Sequence, residues 1–452
     1  MRRREGGSSL SELSEEWATS ARVSTASPAP VARPCPPRLA LASNDRRQKG
    51  DRLSRDVWDK VREFRAADEA RAQGLYPYFR AFERNDGPEA VVDGRQVIMF
   101  GSNNYLGLTT HPKVREAASD AIRSLGTSMT GSRFVNGTTQ LHHDLEERLA
   151  DFYGREAALV FTTGYQVNLA VCSALLRDGD VALIDRGVHA STYDGVRLAM
   201  AHGARMVRFG HNSAESLDMH LSRLEEGDEG ALVIIDGVFS AEGEIAKLDE
   251  LLSIVRQHGA RIMVDDAHGL GMVGPAGKGT AHHHGLGAEV DLIGGTFSKS
   301  LASVGGYLVG ERAVIDYIRH HAASFMFAAS GAPSTVAAAM AALEVMQEEG
   351  WRVDSLRENA DYMIRELVSL GFEVGPTQTA IVPIYIRDDA RTLAVWRELF
   401  EEHAIYTNPF VSFSVSPGHS LIRTSYMATH ERAHLDRGLE ALAIVGKKYG
   451  LI

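Results

Sequence analysis

The segment Gly294-Gly295-Thr296-Phe297-Ser298-Lys299-Ser300 sets one lysine among small and hydroxyl residues, just after a short apolar run. Surface lysines usually sit among other charges, and this one does not. An amine in a closed, hydroxyl-lined pocket has its pKa lowered and can form a Schiff base with an aldehyde. Thr296 and Ser298 could donate to a phosphate beside it. The plain alternative is a lysine on an ordinary loop. A second segment, Ile262-Met263-Val264-Asp265-Asp266-Ala267-His268-Gly269, ends an apolar run on an acid and adds a histidine three residues on. Ligands of open α/β sheets bind at the carboxyl ends of strands. A buried carboxylate there needs a cationic partner, and a protonated pyridine nitrogen is one. A helix cap is the plain alternative for Asp265.

Three further segments add donors. Phe161-Thr162-Thr163-Gly164-Tyr165-Gln166-Val167-Asn168 leads from an apolar run into an apolar helix. Glycine and hydroxyls at such a junction offer free backbone N–H groups to an anion such as phosphate. It is not a Walker loop, since no GKS or GKT occurs. His189 follows the run Val181–Ile184 by a few residues. Its imidazole could stack on a flat cofactor or move a proton. Arg423 lies within Leu421-Ile422-Arg423-Thr424-Ser425, otherwise a strand-like stretch. A guanidinium there must find an anionic or hydrogen-bonding partner, and it suits a substrate carboxylate. The alternatives are a plain helix start, a structural histidine and an internal salt bridge.

Three motifs carry less. Gly269-Leu270-Gly271-Met272-Val273-Gly274 is a formal GxGxxG, but Pro275 follows and no helix pattern opens there. The consecutive His282, His283 and His284 read as a solvated loop. His430-Glu431-Arg432-Ala433-His434 is a formal HExxH without a later histidine, so no metal site is expected.

These residues need elements to hold them. Runs apolar at every position occur at Ala157–Phe161, Val181–Ile184, Ala231–Ile235, Ile262–Val264 and Leu292–Ile293. Such runs suit strands buried on both faces of a parallel sheet. Amphipathic stretches such as Leu141–Tyr153 and Lys247–His258 alternate with them, which predicts an open α/β sheet with helices on both faces. Later segments change character: helices over Ala332–Glu349, Val353–Leu370, Leu393–His403 and Glu431–Tyr449 mix with strand-like Ile381–Ile386 and Leu421–Ser425. The expected organisation is a leader over 1–50, a helix and arm over 51–100, a large α/β domain over 101–343 and a small α+β domain over 344–452. The leader is rich in Ser, Ala, Pro and Arg and reads as disordered, without the apolar core of a secretory signal. Leu53, Val57, Val61 and Phe64 predict one helical face, and Val97–Phe100 a strand.

Composition narrows the partners. The 452 residues exceed one ordinary core. With 48 Lys+Arg against 59 Asp+Glu the net charge is −11, the wrong sign for a nucleic-acid binder. Cys35 and Cys172 alone can build neither a disulfide framework nor a Cys-based zinc site, which fits a reducing cytoplasm. No run is long and apolar enough to span a membrane.

Taken in order, Ser102–Leu108 (SNNYLGL), Thr130–Thr138 (TGSRFVNGT), Thr163–Asn168 (TGYQVN), His189, Val238–Gly243 (VFSAEG), Asp265–His268 (DDAH), Thr296–Lys299 (TFSK) and Arg423 resemble the α-oxoamine synthases. These belong to the fold-type I pyridoxal-phosphate enzymes, and the resemblance runs from about residue 55 to the end. It implies a mostly parallel sheet in a large domain, a smaller C-terminal domain and pyridoxal 5'-phosphate as cofactor. It implies that Lys299 carries the cofactor and acts as base, that Asp265 pairs with the ring nitrogen and that His268 meets the ring hydroxyl. His189 would stack on the ring and polarise an acyl carbonyl. Gly164, Tyr165, Thr296 and Ser298 would hold the phosphate region, with Ser240 near the ring. Arg423, helped by Asn104, would bind the amino-acid carboxylate. Glycines at Gly164, Gly269–Gly279 and Gly294–Gly306 would let the chain approach the cofactor closely.

The implied reaction condenses an amino acid with an acyl-CoA and loses carbon dioxide. TGSRFVNGT, Tyr193-Asp194-Gly195, Arg208–Ser213 and Ser298 before the lysine most resemble the bacterial branch of the family that takes L-serine and palmitoyl-CoA, and imply those substrates. The alternatives are another amino acid or acyl donor, as in the synthases of biotin and haem biosynthesis, or an aminotransferase of the same fold. Two places depart from the family pattern: Asn408–Ser412 holds no arginine, and Ala328 stands where a hydroxyl is usual, with Ser330 near it. The family implies a homodimer with shared active sites. A lipid product makes peripheral membrane contact a further expectation.

Overall fold

The computed structural model describes residues 56–225, 227–412 and 414–452. They fall into two compact units, one ending at Glu69 and one spanning Ala70–Ile452. The expected leader, with Cys35 and Leu53, lies outside the described residues. In the first unit, Asp59–Arg62 forms a single helical turn. Val57, Val61 and Phe64 are exposed, so the expected apolar stripe is not a buried face. One turn has little helical stability of its own.

The second unit opens with an antiparallel meander of β1 (Phe82–Asn85), β2 (Glu89–Val92) and β3 (Arg95–Met99). The central sheet follows: β4 (Ala157–Phe161), β5 (Val181–Asp185), β6 (Arg205–Phe209), β7 (Ala231–Asp236), β8 (Arg261–Asp265), β9 (Leu292–Thr296) and β10 (Gly306–Gly310). Their order is β4-β10-β9-β8-β7-β5-β6. Only β10 runs against its neighbours. Side chains alternate between two cores. Leu183, Val233 and Val264 enter one. Ile184, Ile234 and Met263 enter the other. Both faces are dry, which is why these strands read as unbroken apolar runs.

Helices cover the faces. Leu248–Gln257 buries Leu248, Leu251, Leu252 and Val255, one stripe at helical spacing. Gly164–Leu175 is capped by Thr163, whose hydroxyl accepts from the Gln166 N–H. The C-terminal part adds β11 (Ile381–Tyr385), β12 (Ile405–Tyr406), β13 (Asn408–Phe410) and β14 (Leu421–Ser425). Strands β11, β14 and β13 form an antiparallel sheet, while β12 joins β3 in parallel and extends the meander. Trp396, Met363, Leu367, Leu435 and Ile422 share a separate core beneath it. The helix Pro333–Glu348 runs continuously through residue 343, where a domain boundary is expected.

The glycine run after β8 has a different role from the one expected. Asp266 is wholly buried and accepts from the Thr280 N–H (2.8 Å) and hydroxyl (2.7 Å). A Cβ on Gly269 would lie 1.7 Å from one Asp266 oxygen, and a Cβ on Gly279 1.8 Å from the other. These glycines make room for a carboxylate rather than for a cofactor. Burial, helped by the charge of Asp265, pushes that carboxyl up to about 7 despite the Thr280 bonds.

The histidine motifs resolve similarly. His282 and His283 belong to the short helix Thr280–His283 rather than to a loop; His283 is exposed as expected, while His282 is partly buried against the Tyr153 ring (5.8 Å between centroids). His284 faces Asp249 at 3.5 Å. His430 is buried before the last helix and accepts from the Met427 N–H. Among the described residues no group of three His, Cys, Asp or Glu could hold a metal, and no helix is long and apolar enough to cross a membrane.

Gly269→Ala therefore tests the packing around Asp266. It should cost about 1–3 kcal/mol of stability by overpacking, while Gly350→Ala, with open space at its Cβ, should not. Urea unfolding of both variants checks this, and equal midpoints would contradict it.

Candidate active site

Strands β5, β7 and β8 each end on an aspartate: Asp185, Asp236 and Asp265. A cavity of about 280 Å³ opens near these carboxyl ends. All nine residues expected around a cofactor line it: Gly164, Tyr165, His189, Ser240, Asp265, His268, Thr296, Ser298 and Lys299. Lys299 follows β9 and is the amine of the set. It has no hydrogen-bond or ion-pair partner among the described residues. Burial, only partly opposed by the charge of Asp265, lowers its pKa to about 8. A far larger share of this amine is neutral at physiological pH than of a solvated lysine.

Asp265 is fixed by neutral donors. Its Oδ2 accepts from Asn168 Nδ2 at 2.7 Å, and its Oδ1 from the Ala267 N–H at 3.1 Å. The other Asn168 amide hydrogen goes to Ser191 Oγ (2.8 Å), which in turn lies 2.8 Å from His189 Nδ1. The Ser191 N–H also points at His189 Nδ1. A ring nitrogen that accepts there carries its proton on Nε2, so neutral His189 offers a donor on its other side. Burial, only partly offset by Asp265, keeps His189 below the usual histidine range. His268 is also held well below it, by burial and then by the cations Lys299 and Arg423.

Arg423, on β14, is not itself part of the cavity lining but bonds to Ser240, which is. It is buried, yet its partners are all neutral. Nε donates to the Ser240 carbonyl (2.6 Å), Nη1 to Ser425 Oγ (2.8 Å), and Nη2 to Asn103 Oδ1 (3.1 Å) and the Tyr105 hydroxyl (3.3 Å). No acidic side chain pairs with it among the described residues. A buried cation without an anion is costly, and an incoming carboxylate would relieve it. Tyr105 links this arginine to His268, with its hydroxyl 2.7 Å from His268 Nδ1.

Asn104 is not brought to Arg423. Its side chain turns to Thr109, donating to the hydroxyl at 2.9 Å, and its neighbour Asn103 makes the contact instead. In SNNYLGL either asparagine could face the site, and residue types alone do not choose between them. Tyr105, Asn168 and Ser191 are further residues that sequence reasoning missed, although each lies inside or beside a quoted motif. Asp236 had a clearer signal: it closes its apolar run just as Asp265 does. Burial and then the charge of Asp265 push its carboxyl well above the usual carboxylate range.

The chemistry of this donor set fits pyridoxal phosphate. The helix that starts at Gly164 aims free N–H groups at the cavity, and Thr296 and Ser298 stand beside it. A Cβ on Gly164 would meet Thr296 at 2.7 Å, so only glycine permits this closeness. Asp265 suits the ring nitrogen and Lys299 the aldehyde. Ala329, beside the departure at Ala328, bridges to Ser132 and accepts from the Thr162 hydroxyl. That contact ties the segment to the TGSR loop.

Comparison with known proteins agrees with this geometry. Residues 95–442 match the family model for aminotransferase class I and II. A serine palmitoyltransferase of Sphingobacterium spiritivorum is 43% identical over 86% of this chain and 96% of its own length. An 8-amino-7-oxononanoate synthase of Thermoanaerobacter pseudethanolicus is 36% identical over 85% of this chain and 96% of its own. A solved structure of SPT with the PLP internal aldimine superposes with a TM-score of 0.84 at 34% identity, covering 88% of this chain and 100% of that one. The Sphingomonas wittichii serine palmitoyltransferase gives the same TM-score at 36% identity and the same coverage. The chain belongs to the aminotransferase class I and II family and, within it, to the α-oxoamine synthases.

Proposed function

We propose that this protein uses pyridoxal phosphate to condense L-serine with palmitoyl-CoA, releasing carbon dioxide and free CoA and forming 3-oxosphinganine. The observation that carries this is a cavity lined by a desolvated amine and a strand-end carboxylate, with a buried guanidinium that has no acidic partner among the described residues bonded to the lining residue Ser240. Relatives named serine palmitoyltransferase guide the choice of substrates.

When bound, pyridoxal phosphate supplies an electron sink for the charge that develops at the amino acid's α-carbon. The residues do the rest. Arg423 attracts the serine carboxylate by its charge and by the one Nη1 N–H left after its four bonds to neutral partners, and so orients the α-carbon. Lys299 Nζ, partly neutral because it is buried, removes the α-proton. Asp265 holds a proton on the ring nitrogen, and Asn168 keeps its carboxylate aimed. His189 donates from Nε2 to the acyl carbonyl as the α-carbon attacks it, and the thioester C–S bond breaks to release CoA. The bond from the α-carbon to the carboxylate then breaks, and a proton returns to that carbon. The acyl chain is excluded from water only in part by this subunit. Phe327 and Val135 are strongly exposed, and Val304 on the cavity rim is half exposed. These exposed apolar side chains are what a second copy would cover in the homodimer with shared sites that the family implies. The protein works in the cytoplasm with peripheral membrane contact at most, which its lipid product favours.

A second reading keeps the chemistry and changes the amino acid or acyl donor. Relatives named 8-amino-7-oxononanoate synthase favour it, as does the lack of arginine in Asn408–Ser412.

Protein loaded with pyridoxal phosphate should release thiol and labelled carbon dioxide from L-serine and palmitoyl-CoA. Turnover with L-alanine or glycine but not with L-serine would favour the second reading, and no turnover with any of them would sink both. Arg423→Ala should raise KM for L-serine about tenfold to a hundredfold, the worth of a charged hydrogen-bond pair, and leave cofactor retention unchanged. Equal losses of both would mark Arg423 as structural.

A further inference from the structure

His211 lies just beyond β6 and outside the cavity lining, yet it holds the turn that carries Ser240. Its Nδ1 stands 3.0 Å from Asp185 Oδ1, and its Nε2 faces Glu244 Oε2 at 3.4 Å. Asp185 is wholly buried and also accepts from the Gly187 N–H (2.7 Å) and the Asn212 N–H (2.6 Å). Glu244 accepts from Asn212 Nδ2 (2.7 Å), and Asn212 Oδ1 takes the Lys247 N–H (2.8 Å). Phe239 packs edge-on against the His211 ring at 4.2 Å.

Phe239 and Glu244 are the two ends of one turn. The Phe239 N–H donates to the Glu244 carbonyl, and the Gly243 N–H to the Phe239 carbonyl, both at 2.9 Å. Between them sits Ser240, whose carbonyl accepts Arg423 Nε. His211 therefore meets both ends of the turn, Phe239 by ring packing and Glu244 by an ion-pair contact of Nε2, which makes no hydrogen bond to it.

We propose that His211 is a positioning residue for the substrate carboxylate: by joining Asp185 to Glu244 it fixes the turn Phe239–Glu244 and, through the Ser240 carbonyl, the direction in which Arg423 faces the cavity. This rests on the reading of Arg423 as the carboxylate site. The charges that act on His211 are Asp185, Glu244 and Glu242, all acidic. Burial opposes the imidazolium, but these three outweigh it and raise its pKa above the usual histidine value. The grip is complete below that raised pKa and weakens as pH rises through it.

The test is steady-state kinetics of the cofactor-loaded protein with L-serine and palmitoyl-CoA across pH, on wild type, His211→Gln and Arg423→Ala. His211→Gln should raise KM for L-serine about fivefold at a pH below the histidine pKa, with kcat and the palmitoyl-CoA KM within about twofold. Wild-type KM for L-serine should rise with pH towards the variant's value, and the variant's should lack that rise. A His211→Gln KM and pH profile like wild type, while Arg423→Ala still raises KM, would overturn the role of His211 alone. An unchanged KM in Arg423→Ala would overturn the carboxylate site itself. If His211→Gln does not fold, the wild-type profile decides, and a flat one overturns the proposal.

Discussion

Three carboxylates end neighbouring strands of one sheet, away from water, and the molecule must settle each of them differently. Asp185 is met by His211 and two backbone N–H groups. Asp236 has no cation in hydrogen-bonding contact among the described residues, and its carboxyl is pushed well above the usual range. Asp265 keeps neutral donors and the nearby charge of Lys299. A buried charge must be paired or neutralised, so these three solutions assign three roles. One carboxylate braces a turn, one is driven toward its neutral form, and one is left oriented and ready for a cationic ring nitrogen.

The rest of the site follows from that division. Lys299 is close enough to feel Asp265 and Asp236, yet burial dominates and its pKa falls to about 8. Arg423 adds a second buried cation that repels it. The guanidinium is aimed by the Ser240 carbonyl, Asn103 and Tyr105, all neutral, and so keeps its charge for a ligand. Tyr105 joins the carboxylate side to His268 on the cofactor side. Arg423 and His268 thus share one hydrogen-bond network.

Much of this was legible in the sequence, where the signal is local. Two dry faces force unbroken apolar runs, so β4 was read to its exact ends and β5, β7 and β8 to within one residue. β6 and β10 were not read. β6 is an edge strand with Arg205 and Arg208 exposed, and β10 begins and ends on glycine. Lys299, Asp265 and His189 stood out because their chemistry clashes with apolar or small neighbours. Asn103 over Asn104, and the Asn168–Ser191 relay, depend on contacts between residues far apart in the chain, which spacing does not encode. The Gly269–Gly279 run misled for a related reason: glycine reports that something comes close, not what it is. At Gly269 and Gly279 it is the Asp266 carboxylate, and at Gly271 it is Ser300.

The central claim is that Lys299 is the amine that carries the cofactor. Borohydride reduction of the loaded protein, followed by proteolysis and mass spectrometry, tests it most directly. The account predicts a reduced pyridoxyl-phosphate adduct on the peptide containing Lys299. An adduct on another lysine, or none in protein that has taken up the cofactor, would contradict it.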